Sequence, residues 1–150
     1  AGRILQEIKN LKLNVVLHSS RPNNLKDTDV YLVDTYGETK KFYQSTNIIF
    51  MGKSLTGNGG QNPLEPAMLG ATVLHGQNID NFTDTYKLLN KLKITKMVKN
   101  TNHLTDLVNK LMIRPNNKKN YLKIEKFGKK ILNETKDEIN NLLNNEIKKT

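Results

Sequence analysis

Apolar residues arrive along this chain in two rhythms. Ile4, Leu5, Ile8 and Leu11 recur at helical spacing, which predicts an amphipathic helix over 3–11. Val15-Val16-Leu17 and Val30-Tyr31-Leu32-Val33 are short unbroken apolar runs, the mark of buried strands. The stretch between them, 19–29, is polar and holds Arg21-Pro22-Asn23-Asn24, a loop signature. Ile48-Ile49-Phe50-Met51 predicts a third strand and Thr72-Val73-Leu74, ended by His75-Gly76, a fourth. A fifth falls at Ile94 to Val98, a run interrupted by lysines. Helical patterns lie between the strands at 39–45, 62–69, 81–92 and 103–112, and Pro63 suits the first turn of its helix. Strands alternating with helices indicate an α/β fold with a parallel sheet. From about 116 onward the pattern becomes helical and basic, with Ile131, Leu132, Ile139, Leu142, Leu143 and Ile147 forming an apolar stripe.

Composition narrows the function classes. The 150 residues are 36% hydrophobic and 25% charged, enough apolar material for one cored domain. Cysteine is absent, which removes disulfides, a thiol nucleophile and any sulfur-based zinc site. No apolar run approaches the length that spans a bilayer, and residues 1–20 lack a signal-peptide pattern, so a reducing cytoplasmic setting is expected. Charge is unevenly placed. Residues 1–86 hold 8 Lys/Arg against 8 Asp/Glu, whereas residues 87–150 hold 16 against 6 and carry the whole net charge of +10. Such a basic segment attracts anionic surfaces, lipid or nucleic acid.

In open α/β sheets, ligands sit beyond the carboxyl ends of the strands. Three polar loops occupy such places. Asp34-Thr35-Tyr36-Gly37-Glu38 follows the second strand, and Gly52-Lys53-Ser54-Leu55 follows the third. The latter runs into Gly57-Asn58-Gly59-Gly60-Gln61-Asn62-Pro63-Leu64-Glu65-Pro66 at the start of a helix. Glycines before a helix let backbone approach a ligand, and helix-start amides favour phosphate or carboxylate. A plain tight turn explains Gly59-Gly60 equally well, and the loop matches neither the Walker pattern nor GxGxxG. Glu65 reads either as a partner for a ribose diol or as a first-turn acid complementing the helix dipole.

The motifs, taken in order, are more specific than the glycine loop. GGQNPLEPA at Gly59–Ala67 resembles the signature of the 3-deoxy-D-manno-octulosonic acid (Kdo) transferases, which attach Kdo to lipid A. DTYGE at Asp34–Glu38 is similar to that family's DTMGE segment, and FMGKSL at Phe50–Leu55 to its FVGGSL segment. Gly70–Gly76 and Asn81-Phe82 continue in the family's order, and the resemblance covers roughly 15–92. It implies the C-terminal half of a metal-independent GT-B glycosyltransferase, a Rossmann-like parallel sheet flanked by helices. The whole chain, 1–150, would then be the donor domain, with a basic helical tail from about 116 and the N-terminal acceptor domain absent.

By position, the resemblance places Tyr36, Gly37, Glu38, Asn62, Pro63, Leu64 and Glu65 against the CMP moiety of a CMP-Kdo donor. Amides near Asn62 and Leu64 would hold the phosphate, and Glu65 the ribose hydroxyls. Lys53, Ser54, Gly59 and Gly60 are further candidates for phosphate or donor contact. No catalytic residue is expected here, since the family's catalytic carboxylate belongs to the other domain. An arginine motif for the donor would fall at or before residue 1, and Arg3 is not assigned to it. No cofactor or metal is implied. The implied acceptor is a lipid A precursor, reached through the other domain, at the cytoplasmic face of the inner membrane.

Other residues carry two readings each. His75 either approaches the donor sugar or closes a structural turn, whereas His18 and His103 read as surface or capping residues. Asp27, Asp29 and Asp34 read as loop-capping acids rather than an acid/base pair. Lys118, Lys119, Lys123, Lys126, Lys129 and Lys130 read as a solvated face or as one that meets an anionic membrane or the sister domain. Two rival functions remain: a basic nucleic-acid-binding module and a GT-B transferase using a UDP-sugar. The first has the charge in its favour, but nucleic acid is not the expected partner, because no recognised binding signature accompanies only 6% aromatic residues.

Overall fold

The computed structural model describes residues 2–57, 59–113 and 120–147, with side chains as far as 144. Asn58, Lys118, Lys119 and the side chain of Ile147 lie outside the described residues. The chain divides into two compact units, Ala1–Thr39 and Lys40–Thr150.

The first unit contains α1 (Gly2–Asn10), β1 (Val15–Leu17), a 3-10 turn (His18–Ser20) and β2 (Val30–Leu32). Helix α1 half-buries Leu5 and Ile8, whereas Ile4 and Leu11 of the predicted stripe are exposed. The two strands pair in parallel, Val15 opposite Val30 and Leu17 opposite Leu32. Asp29 anchors the entry of β2, its carboxylate accepting the Asn14 amide at 2.8 Å. No described residue of this unit is fully buried.

The second unit holds the core. In order it contains α2 (Thr39–Ser45), β3 (Ile48–Phe50), α3 (Leu64–Met68), β4 (Thr72–His75), α4 (Thr83–Lys91), β5 (Thr95–Met97), α5 (Thr101–Met112) and α6 (Asn120–Ile147). A 3-10 turn at Asp80–Phe82 leads into α4. The strands form one parallel sheet in the order β3-β4-β5, with Ile49 opposite Val73 and Val73 opposite Thr95. Parallel neighbours need a crossover, and α3 and α4 supply the two crossovers here.

Ile49, Met51, Ala67, Ala71, Val73, Leu89 and Ile94 are buried together, with Tyr43, Leu64, Leu92 and Ile124 packed against them. Each large member contributes about 1.5–3 kcal/mol by leaving water. Strand β5 is an outer strand, which explains its lysine: Thr95 is buried while Lys96 and Met97 are exposed. The sequence places an apolar stripe on the last helix, and the structure leaves that stripe uncovered. Ile124 packs on the core, but Leu132, Ile139 and Leu142 are 53%, 51% and 62% exposed.

Candidate functional site

Because β1 and β2 run in parallel register, the turns that leave them emerge at one edge. Asp34 clamps the first turn with both carboxylate oxygens. Oδ1 accepts the Ser19 amide at 2.9 Å and Oδ2 the Ser19 hydroxyl at 2.6 Å. These bonds favour the ionised form and hold the Asp34 carboxyl below its ordinary value. Among the three acids, Asp29 and Asp34 are thus engaged with backbone, as capping residues are.

His18 is more than a surface residue. Its Nδ1 lies 2.7 Å from the Tyr31 hydroxyl and its Nε2 2.7 Å from Glu38 Oε2. Thr35 Oγ1 donates to the same Glu38 oxygen at 2.7 Å. Glu38 is therefore held in one place from two sides, while Gly37, at φ 84, supplies the left-handed turn that brings it there. Tyr36 stands fully exposed at the tip.

A polar cavity of about 300 Å³ opens among His18, Ser19, Arg21, Thr35 and Glu38. Arg21 is the residue that sequence reasoning treated only as loop. It sits in the left-handed region, φ 47, and its amide closes the 3-10 turn on the His18 carbonyl at 3.0 Å. Applying the strand-exit rule to β1 as well as β2 would have drawn attention to it.

In the second unit, the glycine-rich loop packs against the segment that leaves β4. Ser54 is fully buried; its hydroxyl donates to Met51 O at 2.6 Å and accepts the Gly76 amide at 2.8 Å. That hydroxyl holds two loops together, and both partners belong to the chain. Asn78 adds a bond from its amide to Ser54 O at 2.8 Å. Lys53 is exposed, with φ 63, and the Gly57 amide closes a turn on its carbonyl. Gly60, at φ 61, lies so near the second segment that a Cβ would meet Asn78 O at 2.8 Å. The Gly59 Cβ would meet the Asn81 amide nitrogen at 2.6 Å. Here the glycines serve close approach of chain to chain, whatever else they serve.

The start of α3 corrects one detail of the expected phosphate cradle. Asn62 Oδ1 accepts the Leu64 amide at 3.0 Å, and Pro63 has no amide to offer. The Leu64 N–H is therefore occupied at home by an Asx turn. Glu65 is exposed and lines an open cavity of about 280 Å³ with Lys40, Asn62, Leu64, Met68 and Leu69. Burial, and then the Glu65 charge, push the Tyr43 hydroxyl above its ordinary value.

The histidines resolve differently from one another. His75 is buried, its Nδ1 2.7 Å from Gly76 O and its ring packed on Tyr86, as a structural turn requires. Burial lowers its pKa and keeps it neutral at pH 7. Asn100 caps α5, its Oδ1 accepting the His103 amide at 2.9 Å, while His103 Nδ1 accepts the Lys99 amide at 3.3 Å. Among the described residues, no group of His, Asp or Glu is arranged to hold a metal ion. No described helix is long and apolar enough to cross a membrane.

Parallel strands flanked by helices, with polar turns at their carboxyl ends, define an α/β, Rossmann-like domain. The C-terminal CMP-Kdo binding domain of WaaA from Acinetobacter baumannii, a solved structure, shares this fold. The two superpose with a TM-score of 0.75 at 23% identity, covering 83% of this chain and 66% of that one. No family model matches the chain. In sequence, it is 33% identical over 82 residues to a 3-deoxy-D-manno-octulosonic acid transferase of Haemophilus influenzae, 55% of this chain and 19% of the relative. It is 29% identical over 140 residues to that of Rickettsia felis, 87% of this chain and 29% of the relative. By sequence the chain is thus similar to Kdo transferases. It spans less than a third of the length of these curated relatives.

Proposed function

We propose that this chain is the donor-binding domain of a Kdo transferase, taking CMP-Kdo for transfer to a lipid A precursor. The observation that carries the reading is kinship: the relatives are Kdo transferases, and the solved neighbour is a CMP-Kdo binding domain. Local chemistry supports it. In the first unit, Arg21 offers a cation to a phosphate beside an oriented Glu38 carboxylate. In the second, Asn62 and Glu65 offer polar groups to a sugar or base at the mouth of an open cavity. Acceptor binding and the catalytic carboxylate are assigned to a part of the enzyme outside this chain, so the chain alone should transfer nothing.

The same reading places the enzyme at the cytoplasmic face of the inner membrane. Lys123, Lys126, Lys129 and Lys130 on α6 would add attraction to anionic lipid. Lys129 is paired with Glu125 at 2.6 Å and Lys130 with Glu134 at 3.6 Å, which tempers that attraction.

The test is an NMR titration of the whole chain with CMP, UMP and a short RNA. CMP at up to millimolar concentration should shift amides within 18–21, 34–38 and 61–65. An equal response to UMP points to a UDP-sugar enzyme, and a steeply salt-dependent response to RNA alone points to a nucleic-acid module. Silence of these segments toward CMP defeats the proposal.

A further inference from the structure

We propose that Tyr86 is a positioning residue for the 59–65 segment, its hydroxyl fixing Gln61 so that Asn62 through Glu65 are presented in one geometry. The proposal rests on the reading that this segment contacts a nucleotide. Tyr86 lies on α4 and is 2% exposed. Its hydroxyl donates to the Gln61 carbonyl at 3.1 Å, bridging 25 residues of chain. A phenylalanine would fill the same core volume without bringing a polar atom inside, so the hydroxyl is what this position adds. That atom reaches the residue immediately before Asn62.

The ring itself is held by the sheet. His75, the last residue of β4, stacks against it with centroids 4.3 Å apart and planes tilted by 49°. The carbonyl of Gly76 accepts the His75 Nδ1 proton at 2.7 Å, which fixes the imidazole in turn. The tether therefore runs from a strand end through two packed rings to the loop. Upstream, the loop is already fastened at Ser54, whose carbonyl takes the Asn78 amide and whose hydroxyl takes that of Gly76. Among the described residues, Gln61 is the next side-chain-to-backbone attachment before the Asx turn at Asn62. Ordering a loop before ligand arrives removes that entropic cost from binding.

The experiment compares the unmodified chain with Tyr86→Phe, using free CMP as the probe. Loss of one hydrogen bond should raise the CMP dissociation constant by roughly threefold to tenfold. Amide hydrogen exchange at 61–65 should accelerate, while the thermal midpoint stays nearly constant. Replacing Tyr86 by 4-aminophenylalanine, which keeps a donor at the same place, should restore both readouts. Unchanged exchange at 61–65 in Tyr86→Phe overturns the positioning role, as does failure of the donor-bearing variant to rescue. If the unmodified chain binds no CMP, the nucleotide reading is what has failed, and exchange alone then decides whether Tyr86 holds the segment.

Discussion

The Gly76 amide donates to the Ser54 hydroxyl at 2.8 Å, joining the loop after β3 to the end of β4 across 22 residues. The two stand so close that a Cβ on Gly76 would meet Leu55 Cα at 2.5 Å. This pair, more than any charged group, sets where the glycine-rich loop lies. Both residues carry consequences that mutation can read.

Ser54→Ala removes the acceptor of a buried amide and the donor to Met51 O. An orphaned buried N–H costs about 1–3 kcal/mol, so the urea midpoint should fall accordingly. Any loss of CMP affinity should accompany that loosening, since the hydroxyl is already engaged at both ends.

Gly76→Ala should be worse, because the obstacle is backbone and has no rotamer to escape into. Overpacking of this kind costs about 1–3 kcal/mol or more. Circular dichroism melts of the variant should show a lowered midpoint, and an unchanged midpoint contradicts the close packing described.

Thr95 offers the opposite case. Its Oγ1 is buried with no hydrogen-bond partner among the described residues. Thr95→Val keeps the shape and replaces the orphan with a methyl, so stability should be unchanged or rise by about 1 kcal/mol. A clear loss would show that the hydroxyl has a partner.

Two groups predict how stability varies with pH. His75 is held below its ordinary value of 6.5 by burial, so the unfolded chain takes up its proton first as pH falls. Its contribution is complete above 6.5, declines below it, and is gone once pH passes the folded value. Asp34 is held below 3.8 by Ser19, so its contribution is complete above 3.8 and is lost as pH drops through the lowered value. Urea unfolding followed from pH 7 to 5 should show the first decline, and His75→Phe should flatten it. The Ser19 amide shift, followed below pH 4, should report the second and should not titrate in Asp34→Asn.

Much of the fold was legible because its strands are short and apolar throughout. Val15 to Leu17, Ile48 to Phe50 and the run ending at His75 were all placed within a residue of their observed limits. Even β5 was recoverable, since only Thr95 of its three residues faces the interior and the lysine sits on an outer strand. Helix α3 was expected to begin at 62, but the Asx turn of Asn62 delays it to Leu64. The candidate residues were legible by motif, whereas their engagements were not. Nothing in the sequence announces that Ser54 spends its hydroxyl on Gly76, that Asn62 caps Leu64, or that His18 bridges Tyr31 and Glu38. Those contacts join residues up to 22 positions apart, or turn on side-chain rotamers, and no local pattern encodes them. Arg21 was passed over because a polar loop conceals which of its members faces a cavity.

Gly128 of α6 lines an open apolar hollow of about 400 Å³ with Met68, Tyr121 and Ile124, and among the described residues a methyl there would touch nothing within 4 Å. Glycine inside a helix costs about 0.5–1 kcal/mol relative to alanine, so Gly128→Ala should stiffen the helix and stabilise the chain by about that amount. The leucines and isoleucines farther along the same helix have a practical corollary. In purified material they are adhesive surface, and light scattering should show association that grows with protein concentration and recedes in mild detergent. Substituting Leu132 and Leu142 with glutamine is the simplest route to a well-behaved sample for every measurement above.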